Sequence, residues 1–156
     1  MAEAFIQIKD LVKTFDTPAG PLNVLRGINL EINKGDFIAL LGPSGSGKTT
    51  LLNLVGCVDR ADKGDVVVAG QPVRTLSDDA LADFRAANIG FIFQSFNLIP
   101  VLTAFENIEY PLVLAGMPAE RRRRRVERLL EAVGLAEHGK NLPGQLSGGQ
   151  RQRVAI

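Results

Sequence analysis

The sequence predicts an α/β fold: a β-rich beginning, a strand-glycine-helix junction, and an all-helical second part. Three patterns carry this. Ile28, Leu30 and Ile32 alternate with Asn29, Glu31 and Asn33, a period of 2 that lines one face of a strand, and residues 4–33 read mainly as β-structure. Phe37 to Leu41 and Ile89 to Phe93 are apolar runs without alternation, as expected of strands covered on both faces inside an α/β sheet. After Gln94 the spacing becomes helical, with Val126, Leu129, Leu130 and Val133 forming an i, i+3, i+4, i+7 stripe.

The elements follow in order. Asn33-Lys34-Gly35-Asp36 reads as the turn into the first apolar run, which leads straight into Gly42. Thr49 to Val55 reads as a helix, and Asp65 to Val73 as a short hairpin around Gly70. Ser77 to Ala87 reads as a helix with Asp78 and Asp79 at its positive end, followed by the second apolar run. Residues 96–145 read as helical, because Thr103-Ala104-Phe105-Glu106 is a capping box and the apolar stripe ends at Gly134. Ser147-Gly148-Gly149-Gln150 repeats the S-x-x-Q signal, so a helix starts there and runs through Val154. It meets no C-terminal cap before Ile156, which predicts a chain that continues past this residue. The expected organisation is a β-subdomain with a glycine-rich core over 1–95, a helical subdomain over 96–146, and the start of a further helix over 147–156.

Composition limits the function classes. With 46% hydrophobic residues in 156, the chain can bury a core and is not disordered. A formal net charge of +1 gives no chain-wide attraction to nucleic acid or anionic lipid. The single cysteine, Cys57, forms neither an internal disulfide nor a thiolate metal cage and reads as a small buried hydrophobe. No apolar run approaches the roughly 18 residues needed to cross a bilayer, and the start, Met1 to Asp10, lacks a leader pattern. A reducing, cytosolic setting is expected.

Gly42-Pro43-Ser44-Gly45-Ser46-Gly47-Lys48-Thr49 fits G-x-x-x-x-G-K-[ST] between an apolar run and a helix. Glycines at this spacing let successive backbone N–H groups turn inward around phosphate oxygens, and the helix start adds partial positive charge. Lys48 reaches for the β and γ phosphates, Thr49 offers its hydroxyl to Mg²⁺, and Thr50 offers a further N–H or hydroxyl. The motif is that of a P-loop NTPase core. Leu146-Ser147-Gly148-Gly149-Gln150 is a second helix start at which an anion can sit.

With the P-loop, Gln94 and Leu146-Ser147-Gly148-Gly149-Gln150 in this order, the chain resembles the ATP-binding subunits of ABC transporters over nearly all of its length. Gln94, in Phe91-Ile92-Phe93-Gln94, stands at the glutamine-loop position of that family, and Phe15 at the position of the aromatic that stacks on adenine. The stretches Gly56-Cys57-Val58-Asp59-Arg60, Phe93 to Pro100 and Pro143 to Gln150 look most like the MacB and LolD group, which serves macrolide export and lipoprotein release. Ala61 departs from the proline usual there. The resemblance implies a cofactor pair of ATP and Mg²⁺, with Thr49 and Gln94 on the metal. It also implies a head-to-tail pair of subunits in which Ser147 and Gly149 of one chain meet the γ-phosphate held by Lys48 of the other. Phosphoryl transfer rests on positioning and charge neutralisation, which suits residues that cradle phosphate. An integral membrane permease is the implied partner and the cytoplasmic face of the membrane the implied place; no nucleic acid is expected.

Family members carry an apolar strand ending in Asp-Glu and a later histidine beyond the signature, and neither falls within these 156 residues. ATP hydrolysis is therefore expected of the full-length form, and negligible turnover of these residues alone. His138 precedes the signature and reads as a residue on a solvated turn. Arg121 to Arg125 sweep more than one helical turn, so some must reach past the apolar stripe; a solvated helix end is one reading, and contact with a membrane partner or acidic headgroups the other. Three alternatives stand beside the transporter reading. One is a non-hydrolysing nucleotide-binding module, a second a soluble ABC ATPase. The third is another P-loop enzyme such as a kinase or GTPase, which leaves Leu146 to Gln150 unexplained.

Overall fold

The computed structural model describes residues 4–156, which divide into two units, one ending at Gly90 and one spanning Phe91–Ile156. The first is built on an antiparallel sheet. Strand β1 (Ile6–Thr17) pairs with β2 (Gly20–Ile32) on one side and β3 (Lys63–Val68) on the other, and β4 (Gln71–Pro72) completes the order β2-β1-β3-β4. Strict alternation would send Ile8 and Leu11 to opposite faces, yet both are buried. A bulge reconciles them: the register shifts between Ile8 and Leu11, and Asp10 takes φ 47, its amide donating to Asn29 Oδ1 at 2.9 Å. Gly64 faces the bulge at φ 85, where any Cβ would run into the carbonyl oxygens of Lys9 and Asp10.

Helix α1 (Lys48–Val55) and helix α2 (Asp78–Asn88) pack their apolar residues onto this sheet. Leu51, Leu54, Cys57 and Leu81 join Ile8, Leu11 and Val66 in one buried cluster, each large side chain contributing about 1.5–3 kcal/mol. Ser77 caps α2 as its sequence predicts, accepting from the Ala80 amide at 3.3 Å, with Asp78 and Asp79 in the first turn. From β1 the Lys13 ammonium donates to Asp59 Oδ1 at 2.9 Å and to the Arg60 carbonyl at 2.8 Å. Burial raises the Asp59 carboxyl, but the Lys13 hydrogen bond, the Arg60 amide and the Lys13 charge outweigh it and hold it below the usual range.

The two apolar runs expected to be buried strands are not strands. Phe37 to Leu41 and Ile89 to Phe93 are irregular, and Phe37 and Leu41 are 95% and 91% exposed. Such a strand exists only through ladder partners on its edges and cover on its faces. Among the described residues every ladder bond belongs to β1–β4, so apolar composition alone does not make these runs strands.

The second unit is helical: α3 (Ala104–Leu114), α4 (Ala119–Ala132) and α5 (Gly148–Ala155), with single 3₁₀ turns at Ala136–His138 and Pro143–Gln145. Thr103 and Glu106 form the expected capping box at the start of α3. The amides of Ala104 and Phe105 donate to the carbonyls of Asn141 and Gly139, so the segment leading into α5 is tied to α3. The stripe of α4 buries Val126 and Leu130, which meet Ala104, Leu135, Leu146 and Val154 in a second core; Gly134, at φ 68, ends the helix. Of the arginine run, Arg122 turns inward to Glu109 at 3.1 Å and to the Met117 carbonyl at 2.6 Å, whereas Arg121, Arg123, Arg124 and Arg125 stay exposed. Arg123 pairs with Glu127 and Arg124 with Glu120 along the helix. No helix among the described residues is long and apolar enough to cross a membrane.

Candidate functional site

The glycine-rich loop delivers residues 42–47 to the start of α1. Gly47 occupies the N-cap position at φ 89, no side chain caps the helix, and its first turn holds no acidic residue. The first-turn amides are thus left for an external acceptor, with the helix dipole behind them. A Cβ on Gly47 would lie 3.1 Å from Leu25 Cδ2 and 3.2 Å from Val24 Cγ1, so the loop lies directly on β2. A Cβ on Gly42 would stand 2.9 Å from Ser46 Oγ. Gly47 at φ 89 and Gly42 at φ 154 both hold backbone that residues with a Cβ rarely adopt, so glycine is required by the loop's shape at both ends.

Lys48 folds back over this loop. Its ammonium donates to the Gly42 carbonyl at 2.9 Å, the Pro43 carbonyl at 2.6 Å and Ser46 Oγ at 3.4 Å. The cation is thereby fixed beside the amides instead of trailing into solvent, which gives the loop a charged centre for a polyanion. An open groove of about 350 Å³ is lined by Ser44, Gly45, Ser46, Gly47, Lys48, Thr49 and Thr50 together with Phe15, Leu22 and Val24. Phe15 is 39% exposed, and the Lys13 ammonium lies 5.2 Å from its ring centroid. One end of the groove is thus polar and donor-rich, and the other is an apolar wall with an aromatic face. Of the residues singled out in the sequence, Phe15 and residues 44–50 line this groove, whereas Gly42 and Pro43 stand outside it and contribute the carbonyls that hold Lys48. Leu22 and Val24 were not anticipated: in β2 they read as ordinary strand residues, and only the fold places them beside the loop.

Gln94, Ser147 and Gly149 belong to the other unit. Gln94 is exposed in a turn closed by the Phe96 amide donating to the Phe93 carbonyl at 3.1 Å, and Phe96 and Asn97 take φ 62 and 51. Left-handed backbone at two consecutive non-glycine residues is strained, and Ser95 Oγ steadies it on Asn97 Oδ1 at 2.8 Å. The Arg151 guanidinium, from α5, lies 5.6 Å from the Phe96 ring centroid. At the start of α5 the expected capping box is present. Gln150 N donates to Ser147 Oγ at 3.2 Å, and Ser147 N donates to Gln150 Oε1 at 2.8 Å.

His138 departs from its reading as a residue on a solvated turn. It is half-buried, and its Nε2 lies 3.1 Å from Gln150 Nε2. Nothing in its local sequence announces this, because the two residues meet only through the turns between α4 and α5. Cys57 is buried as expected; burial pushes its thiol up, and the Arg85 charge offsets part of that.

The family of ABC transporter proteins matches residues 25–156. An uncharacterized ABC transporter ATP-binding protein of Thermotoga maritima is 48% identical over 151 residues, covering 97% of this chain and 64% of that protein. The macrolide export ATP-binding/permease protein MacB of Brucella melitensis is also 48% identical over 151 residues, 97% of this chain but 23% of its own length. The chain thus spans about two thirds of one relative and about a quarter of the other. A solved dimeric ATP-binding cassette in a post-hydrolysis state, bound to ADP and Pi, superposes with a TM-score of 0.89 at 42% identity, covering 96% of this chain and 66% of that one. With the glycine loop, its lysine and the capped Ser147-Gly148-Gly149-Gln150 helix start in place, the chain belongs to the ABC transporter family.

Proposed function

We propose that this chain is an ATP-binding subunit of a membrane transporter and that it holds Mg²⁺-ATP in the groove between Phe15 and the start of α1. The observation that carries the reading is the pairing of an uncapped helix start with an ammonium fixed on the same loop. The amides of 45–50 and Lys48 take the phosphates, and the Phe15 face takes the base. The hydroxyl of Thr49, an exposed residue in the first turn of α1, and the side chain of Gln94 are the proposed protein ligands that would hold magnesium. Bound there, magnesium would supply charge neutralisation for the phosphates.

In the full-length form, two such subunits pack head to tail, Ser147 and Gly149 of one meeting the γ-phosphate on Lys48 of the other. ATP is hydrolysed at the cytoplasmic face to drive a permease. The dimeric cassette bound to ADP and Pi and the relatives that join ATP-binding and permease parts in one chain support this arrangement. Titration of this chain with a fluorescent ATP analogue and Mg²⁺ tests the binding step. A charge-assisted contact is worth about 1.5–3 kcal/mol, so Lys48→Ala weakens affinity about tenfold or more. An affinity within twofold of the parent would overturn the assignment of the loop.

A further inference from the structure

The carboxamide of Gln150 has two faces, and the capping box uses one of them. Its oxygen accepts the Ser147 amide at 2.8 Å, so its NH₂ group points the other way, where His138 Nε2 waits at 3.1 Å. An amide NH₂ only donates. His138 Nε2 is therefore the acceptor, and in the neutral ring the proton sits on Nδ1. The histidine is itself held: its amide donates to the Leu135 carbonyl at 2.9 Å, and its carbonyl accepts the Asn141 amide at 3.0 Å. Leu135 is fully buried, and Gly139, which follows His138, is buried against Leu130. A rigid turn thus presents one lone pair to one side of one carboxamide.

We propose that His138 is a positioning residue for the Ser147-Gly148-Gly149-Gln150 helix start. It locks Gln150 in the orientation whose oxygen faces Ser147, and through Gln150 it fixes the backbone and hydroxyl of Ser147. A flipped carboxamide would set NH₂ against the Ser147 N–H, two donors face to face, and the box would open. The role at phosphate rests on the proposed function; the lock itself is a property of the fold.

The test uses this chain, isotopically labelled, with His138→Leu and His138→Gln. Glutamine carries an amide oxygen to about the reach of Nε2 and so keeps an acceptor. Nitrogen NMR of the ring is expected to show the Nδ1-protonated tautomer, and hydrogen exchange to show a protected Ser147 amide. Loss of one net hydrogen bond speeds Ser147 exchange about tenfold in His138→Leu, and His138→Gln brings it back to within about threefold of the parent. The Val126 and Leu130 amides of α4 stay unchanged in both variants. The inference is overturned by an Nε2-protonated ring, by Ser147 exchange unchanged in His138→Leu, or by loss of protection throughout the helical unit. Failure of the phosphate role is separate: Ser147→Ala would leave nucleotide-driven association of the full-length protein unchanged while the tautomer and the exchange pattern stand.

Discussion

Replacing Gly47 with alanine perturbs the candidate site at its tightest point. The new Cβ meets two opposed demands. At φ 89 the backbone is left-handed, which costs an L-residue with a Cβ about 1–2 kcal/mol. The methyl also stands 3.1 Å from Leu25 Cδ2, 3.2 Å from Val24 Cγ1 and 3.4 Å from the Val24 carbonyl, so β2 has to give by a few tenths of an ångström. Together these come to about 2 kcal/mol, and the energy has two places to appear. If the loop keeps its shape, the folded state carries the strain, and for a chain of this size the melting temperature falls by roughly 4–8 °C. If the loop relaxes out of the left-handed region, the amides lose their alignment and nucleotide affinity falls about 30-fold. Differential scanning fluorimetry and a fluorescent ATP titration on the same sample read both terms. A variant that melts within 1 °C of the parent and binds within twofold would refute the reasoning, because the strain would then have gone nowhere.

Two further expectations follow from local geometry. The Thr103 amide and hydroxyl donate to Glu106 Oε2 at 2.7 and 2.8 Å and hold its carboxyl below the usual range. This contribution to α3 is complete above the unfolded carboxylate value of about 4.3 and is lost as pH falls through the depressed one. A carboxyl NMR titration checks it, and a Glu106 that titrates at or above its ordinary value would count against the cap. Leu135, fully buried between α4 and α5, is expected to cost about 2–5 kcal/mol on truncation to alanine. The loss is read as a lower denaturant midpoint of the helical unit, and a change under about 1 kcal/mol would show that its surroundings collapse around the gap.

What was legible in the sequence was local. Both capping boxes, Thr103 with Glu106 and Ser147 with Gln150, lie within four consecutive residues, so the donors and acceptors that meet are neighbours in the chain. The glycine loop is likewise contained in nine residues, 42–50. What was illegible depends on distant partners. The runs Phe37 to Leu41 and Ile89 to Phe93 have strand composition, yet a strand is a relation between segments, and no described segment pairs with them. The bulge at Asp10 shows in the sequence only as a break in alternation; its reason is Gly64, on the neighbouring strand. The five-arginine run does predict that some member turns inward, but which one is decided by Glu109, a residue of α3.

The two helix starts differ in a way that fits their proposed roles. At α1 the cap is a glycine, no side chain intervenes, and the amides of the first turn are all left to a ligand, with Lys48 beside them. That is a site for a chain of phosphates, whose several oxygens need several donors. At α5 the capping box already consumes two donors, the amides of Ser147 and Gln150. It leaves the amides of Gly148 and Gly149 and the remaining capacity of the Ser147 hydroxyl, with open space where the Gly148 side chain would be. Two amides and a hydroxyl suit one terminal phosphoryl group approached from outside, and they suit a polyphosphate poorly. The same capping chemistry that makes α5 self-sufficient as a helix would also limit it, in the proposed function, to the lesser share of the anion, leaving the main holding role proposed for the loop before α1.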